Sequence, residues 1–322
     1  MDTQIYNIIS DMAEVLNIAQ MKRLQEVLID RLASEQVAPE EIDNFAYMEM
    51  FLTAKRIEGC SDRTIEYYRS TIKTMLVKVD IPLRKMTTEI LREYLSQYQK
   101  MNDCSKVTID NIRRNLSSFF SWLEEEDHIL KSPIRRIHKI RTKKVVKEVI
   151  SDENLELLRD SCHEKRDLAI IDILISTGMR VGELVNLDIT DLDFEERECV
   201  VYGKGDKERK VYFDARTKLH IQRYLADRRD NNPALFVSLN APYQRLQISG
   251  VETRLRELGR RLQIYNIHPH KFRRTMATKA IDKGMPIEQV QRLLGHQQID
   301  TTMQYAMVNQ SNVKTSHRKY IA

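Results

Sequence analysis

Apolar residues recur at intervals of three and four along most of the chain, and one short stretch alternates instead. Ile5, Ile8, Ile9, Met12, Leu16, Leu24, Val27, Leu28 and Leu32 fall at helical spacing, which predicts one or two amphipathic helices over residues 4–34. Pro39 suits a helix start and not a helix middle, so the segment at 37–41 ends that unit. Four helical stretches follow at about 42–57, 62–78, 87–99 and 105–126, with Ser61 and Thr88 as N-caps and a turn at Ile81-Pro82. A second helical series starts at Ser151, read as the cap of a helix running to about Cys162. A buried helix over 166–176 breaks at Thr177-Gly178, and a short one holds Arg180 to Leu187. Residues 199–213 change the period and read as strand, Gly-rich turn, strand. Helices return at about 214–229, 249–263, 269–283, 286–294 and 299–308, and residues 311–322 form a polar, basic tail.

The expected fold is therefore mainly α, with two helical domains of which the second carries a small antiparallel β-sheet. Boundaries are drawn at 1–40 for an acidic helical segment, 41–130 for the first helical domain, 131–150 for a basic linker, 151–310 for the larger domain and 311–322 for the tail. A length of 322 residues fits two domains, at about 150 residues each. The single Trp, Trp122, and the few aromatics suit a helical interior of Leu, Ile, Val and Met.

An overall charge of +5 is weak evidence for a polyanionic partner, but its distribution says more. Residues 1–44 hold three basic side chains against nine acidic ones, a net of −6, so the other 278 residues carry +11. That surplus is what contact with a phosphate backbone needs. The acidic N-terminal helices suit such contact poorly and are read as packing against the next domain or a neighbouring protomer. Residues 131–147 contain eight basic residues and no acidic one. Alone such a run is as often a solvated tether as a nucleic-acid contact. Between two candidate DNA-binding domains the second reading gains, with Arg135, Arg136, Lys139, Arg141, Lys143 and Lys144 as contacts.

Cys60, Cys104, Cys162 and Cys199 lie far apart without a CxxC pair, which suggests neither a zinc site nor a disulfide framework. No apolar run approaches the roughly 18 residues that span a bilayer, and the N-terminus lacks a signal peptide's basic start and apolar core. A soluble, cytoplasmic protein without a membrane partner is expected.

Taken singly, the candidate chemical residues have ordinary explanations. Arg180 follows a helix break, and Lys204 sits between the hairpin residues Gly203 and Gly205. His270 and Arg273 share a helix face at a spacing that many helices show by accident. His296, after Leu294-Gly295, suits a helix end, and Tyr305 in a helical run suits an interface.

In order, however, TGMRVGEL, GKGDKER, HxxR, LLGH and a tyrosine nine positions later resemble the tyrosine recombinase (phage integrase) family, integrase- or Xer-like, over about residues 150–310. The four helices at 42–126 are similar to that family's SAM-like core-binding domain. The resemblance implies a catalytic domain at 151–310 whose active site is Arg180, Lys204, His270, Arg273, His296 and Tyr305, with no position missing.

The chemistry accounts for these residue types. A phosphodiester is an anion that repels an attacking oxygen, and its pentacoordinate transition state gathers further charge on the non-bridging oxygens. Two guanidiniums, Arg180 and Arg273, can donate paired bonds there without losing charge, and His296 adds a donor. A free phenol has a pKa near 10 and is ionised about once in 10³ at pH 7, so attack needs a proton acceptor, for which His270 is the candidate. The departing 5′ alkoxide needs a general acid, and the resemblance points to Lys204 on its hairpin tip. His268, two residues before His270, leaves a second histidine open, although spacing to Arg273 favours His270. Glu183, one turn after Arg180, either orients the Arg180 guanidinium or an adjacent site residue, or forms a salt bridge without catalytic meaning.

The implied reaction leaves a 3′-phosphotyrosyl enzyme and a free 5′ hydroxyl, and it needs no cofactor or metal. The sequence shows no Walker loop, Asp/Glu metal cluster or dinucleotide fingerprint. Implied partners are double-stranded DNA and further copies of the chain, a homotetramer in the synaptic complex and a monomer without DNA. The acidic N-terminal segment fits neither a plain Xer-type dimer resolvase nor an integrase with a basic arm-binding module. A mobile-element integrase or DNA invertase is expected first, and a chromosome dimer resolvase next. Against a type IB topoisomerase stand the core-binding unit, the basic tether and the Gly-His-to-Tyr spacing, all closer to recombinases, and the usual sign of a non-catalytic DNA-binding descendant, a lost Tyr or Arg, is not seen.

Overall fold

The computed structural model describes residues 3–12, 15–34, 43–142, 148–203 and 208–306. The chain divides into two compact units, Met1–Lys144 and Val145–Ala322.

In the first unit, α1 (Thr3–Met12) packs on α2 (Ile18–Ser34), and α3 (Asn44–Ile57), α4 (Asp62–Val79), α5 (Thr88–Met101) and α6 (Lys106–Glu125) share a core. The stripe Ile109, Ile112, Leu116, Phe119, Phe120 and Leu123 buries one side of α6, as helical periodicity requires. The Phe51 ring meets Phe119 and Trp122 edge-on, with centroids 5.3 and 5.7 Å away. Ser61 caps α4, its hydroxyl accepting from the Thr64 N–H.

At α5 the cap differs from the sequence expectation. Thr87, not Thr88, is the N-cap: its extended backbone lets Oγ1 accept from the Ile90 N–H at 3.3 Å. Thr88 lies inside the helix and donates to the Pro133 carbonyl at 2.6 Å. Both threonines carry a suitable side chain, and backbone conformation alone assigns the role.

That bond belongs to a wider attachment. Ile134 is buried in the first unit, and Ile137 and Ile140 pack against the same core. The Asp110 carboxylate accepts from the Ile140 N–H at 3.0 Å and from Arg113 Nε at 2.9 Å. Burial opposes its charge, but these bonds hold it below the usual carboxylate range. The basic stretch thus lies on the helical unit as far as Ile140, pinned by isoleucines three apart. Lys143 and Lys144 lie outside the described residues.

The second unit contains α7 (Asp152–Asp160), α8 (Lys165–Thr177), α9 (Val181–Asn186), β1 (Leu192–Asp193), β2 (Glu198–Tyr202), β3 (Glu208–Tyr212), α10 (Ala215–Asp227), α11 (Ile248–Arg261), α12 (Pro269–Asp282), α13 (Ile287–Leu294) and α14 (Ile299–Ala306). The sheet is antiparallel in the order β1, β2, β3, with Leu192 opposite Cys199 and Val200 opposite Lys210. Its two-residue first strand is too short to show alternation, and the sequence pattern does not reveal it. Cys199, Val201 and Val211 turn inward to the core. Among the described residues no helix is long and apolar enough to cross a membrane.

At the centre lies α12, buried on nearly every side although its sequence is basic. Lys271, Arg273 and Arg274 all find backbone carbonyls: Lys271 donates to Tyr265, Arg274 to Glu148, and Arg273 to Gly178 and Leu294. Buried cations that meet carbonyl dipoles avoid the full cost of desolvation.

Candidate active site

The site begins where α8 stops. Gly178 is its C-cap at φ 62°, and a Cβ there would lie 2.1 Å from Met276 Cε. The left-handed turn favours a glycine, and any Cβ would also require the end of the Met276 side chain to shift. The turn brings Arg180 to the N-cap of α9, where its backbone N–H donates to Glu183 Oε2 at 2.7 Å and its Nη1 to Glu183 Oε1 at 2.9 Å. Arg180 keeps 44% of its side chain exposed while Glu183 keeps 4%.

Arg209 completes this arrangement, and sequence reasoning missed it. It lies on β3, at the end of the GKGDKER motif, and grips Glu183 with both terminal nitrogens at 2.7 and 2.6 Å. Its Nε donates to the Leu293 carbonyl at 3.0 Å. Burial opposes ionisation of Glu183, but the bonds from Arg209 and Arg180 outweigh it and hold the carboxyl below its usual range. The only sequence signal was an arginine close behind the glycines of the hairpin, and charge on a short strand ordinarily means solvent.

Three arginines converge on the end of α13. Leu293 O accepts from Arg209, Leu294 O from Arg273, and Gly295 O from Arg180 at 3.4 Å. Gly295 ends that helix at φ 64°. The last carbonyls of a helix are its negative pole, so they gather cations that would otherwise repel one another. Arg273 is 2% exposed, and its Nη1 also donates to Gly178 O at 2.7 Å. Burial, then the neighbouring Arg180 and Arg209, pull its pKa down to about 10, so it stays charged in a place short of negative charge. A bound anion would relieve that repulsion.

His270 lies one turn before Arg273 and is exposed. With Met179, Arg180, Glu252, His268 and Arg273 it lines a cleft of about 240 Å³. His268 occupies the N-cap of α12, where its Nδ1 bonds the Asn266 carbonyl oxygen at 2.7 Å. That places His270, not His268, on the helix face shared with Arg273.

His296 follows Gly295, and its ring stacks on that of Tyr305 at 6.0 Å and 26°. Burial, followed by Arg273 and Arg180, lowers its pKa to about 4. It is thus neutral at neutral pH. Its Nδ1 lies 2.9 Å from Thr302 Oγ1, a second residue that sequence reasoning did not single out. Tyr305, on α14, is 7% exposed and packs with Met276, Ala277, Val290 and Leu294. The structure thus gathers Arg180, Glu183, Arg273, His296 and Tyr305 around the ends of α8 and α13, with His270 on the adjoining cleft. Lys204 lies outside the described residues. Among the described residues no cluster of His, Cys, Asp and Glu is placed to hold a metal ion.

Arg135, Arg136, Lys139 and Arg141 belong to the first unit and are exposed. Arg135 lies 3.8 Å from Glu124, too loose and too exposed to neutralise it. These side chains form a basic rim beside α6.

Comparison with known proteins follows the same lines. The N-terminal SAM-like domain of phage integrases matches residues 47–129. The tyrosine recombinase XerC of Oceanobacillus iheyensis is 28% identical over 290 residues, covering 85% of this chain and 95% of that protein. The crystal structure of XerA recombinase is 26% identical with a TM-score of 0.50, covering 86% of this chain and 99% of that one. The XerH recombinase bound to a palindromic difH substrate shares the fold at 19% identity, with a TM-score of 0.69 over 99% of this chain and 95% of that one. The phage integrase family itself matches residues 142–312, more than half of the sequence, and the chain belongs to that family.

Proposed function

We propose that this chain, a tyrosine-type site-specific recombinase, cuts one DNA strand by attack of the Tyr305 hydroxyl oxygen on a backbone phosphorus. The P–O5′ bond breaks, leaving a 3′-phosphotyrosine and a free 5′ hydroxyl. Attack by another strand's 5′ hydroxyl then reverses the step on a new partner. The observation that carries this reading is the convergence of Arg180, Arg273 and Arg209 on the end of α13, beside the stacked His296 and Tyr305.

Arg180 and Arg273 serve as donors to the non-bridging oxygens, and each still has N–H groups beyond those held by carbonyls and Glu183. Losing one such donor costs about 10²–10³ in rate. Neutral His296 adds a donor without adding charge. His270 accepts the phenolic proton, Lys204 protonates the departing 5′ oxygen, and Glu183 orients Arg180 while Arg209 holds Glu183. The partner is double-stranded DNA, contacted through Arg135, Arg136, Lys139 and Arg141 and, beyond the described residues, Lys143 and Lys144. Four copies act on two duplexes, and the chain is a monomer without DNA. Its biological role is read first as that of a mobile-element integrase or DNA invertase. Likeness to XerC over 95% of that protein supports dimer resolution as the second reading.

The test is covalent capture: fragments of the source cell's DNA are incubated with the protein, and adducts surviving denaturation are sequenced. Discrete sites flanked by inverted half-sites are expected with the native chain, and none with Tyr305→Phe, which should still bind DNA. Adducts formed by Tyr305→Phe would overturn the assignment of the nucleophile. Sites at the ends of a mobile or inverting segment support the first role; one chromosomal site away from such segments supports the second.

A further inference from the structure

We infer that the Thr302 hydroxyl holds His296 in the tautomer with its proton on Nε2, so that a hydrogen-bond donor and not a lone pair is presented to the scissile phosphate. The inference rests on the reading of His296 as a phosphate donor and adds a positioning residue to it.

Thr302 lies on α14, three positions before Tyr305, and is 0% exposed. Its Oγ1 is 2.9 Å from His296 Nδ1. Two other buried threonines in this unit's helices turn their hydroxyls back on the carbonyl four residues earlier, Thr177 on Ile173 at 2.6 Å and Thr275 on Lys271 at 2.8 Å, while Thr217 donates to the Asp214 carboxylate at 2.8 Å and Thr278 Oγ1 has no partner among the described residues. Thr302 does not turn back in this way. Among the described residues, its hydrogen-bond partner is His296 Nδ1.

A hydroxyl sealed from water directs its proton to an available acceptor, because a buried unpaired donor is costly. The O–H of Thr302 therefore points at Nδ1, which must supply a lone pair. A neutral imidazole has one lone pair and one N–H, so its proton sits on Nε2. The ring is held neutral by burial and by Arg273 and Arg180, so the charged form, in which both nitrogens donate, is excluded near pH 7. The Gln291 side chain fixes the residue further, its Nε2 donating to the His296 carbonyl at 3.0 Å. One hydroxyl thus ties the helix that carries the nucleophile to the protonation pattern of the donor. Undocking α14 would remove both together.

The direct test is nitrogen NMR of the full chain labelled with ¹⁵N-histidine, at neutral pH and without DNA. The His296 ring should show a protonated Nε2 in the native chain and in Thr302→Ser, and a mixture of tautomers in Thr302→Val. A native ring protonated on Nδ1, or a Thr302→Val spectrum matching the native one, overturns the proposal. A second readout is the rate of adduct formation on captured DNA fragments. Thr302→Val should slow it about tenfold or more, and Thr302→Ser should recover most of the loss. On a His296→Ala background Thr302→Val should add no further loss, and an additive loss would show that it acts elsewhere. If His296→Ala alone proceeds at the native rate, the phosphate-donor reading falls, and the spectrum then reports the tautomer by itself.

Discussion

Arg209 and Glu183 form the tightest charged contact of the site, a two-pronged bond between side chains that are 11% and 4% exposed. Removing one partner of such a pair leaves a buried charge with less compensation, whereas an exposed ion pair contributes little. Arg209→Ala is expected to destabilise the second unit by about 2–4 kcal/mol and to lower adduct formation, measured by denaturant melts and by covalent capture. An Arg209→Ala chain as stable as the native one would mean that Arg180 alone satisfies Glu183. His296 supplies a pH dependence. Its pKa lies near 4 in the fold against 6.5 ordinarily, so between those values the unfolded chain binds more protons than the folded one. Stability should therefore fall as pH drops from about 6.5 to 4. Glu183, held below 4.5, adds a further loss as pH falls through its folded value. Melting temperatures of the native chain and of His296→Gln across this range check the first part, with a shallower slope expected for the variant.

At the scale of elements, the site depends on how helices end. Gly178 lets α8 stop at a left-handed residue with its carbonyl accepting from Arg273, and Gly295 ends α13 in the same way with its carbonyl accepting from Arg180. Gly178→Ala combines unfavourable backbone with a Cβ 2.1 Å from Met276 Cε, and a loss of about 1–3 kcal/mol is expected in melts. Because strain at this turn would displace the residue-178 carbonyl that Arg273 meets, adduct formation should fall by more than the change in folded fraction explains. An equal fall in both would assign Gly178 to stability alone. The breaks at Thr177-Gly178 and Leu294-Gly295 are readable in sequence because glycine punctuates helices. Their convergence is not, since helix periodicity carries no information on which helix ends meet. Local pattern likewise favours Thr88 as an N-cap where the backbone gives that role to Thr87.

For the molecule as a whole, charge distribution decides how DNA would be held. The exposed Arg135, Arg136, Lys139 and Arg141 follow isoleucines that attach the stretch to the first unit, so their positions are set by a folded surface. Removing one phosphate-binding side chain should reduce the slope of log affinity against log salt by about one. Lys139→Ala with Arg141→Ala should flatten it by about two while leaving the melting of the first unit near the native value. An unaltered slope would remove these side chains from the DNA interface.

Order and residue type along the chain determined the helical character, the change of period at the hairpin and the positive surplus beyond residue 44, and the ordered motifs, by their resemblance to the tyrosine recombinase family, offered Arg180, His270, Arg273, His296 and Tyr305 as candidates. The first three follow from local propensity and residue charge, and the candidates follow from the motif match, with phosphate chemistry accounting for their types. Tertiary structure alone decided that Arg209 turns inward to Glu183, that three arginines share the end of α13, and that Thr302 meets His296. Such contacts join residues far apart in the chain or on separate helices, and their strength comes from burial, which no residue possesses until the helices pack.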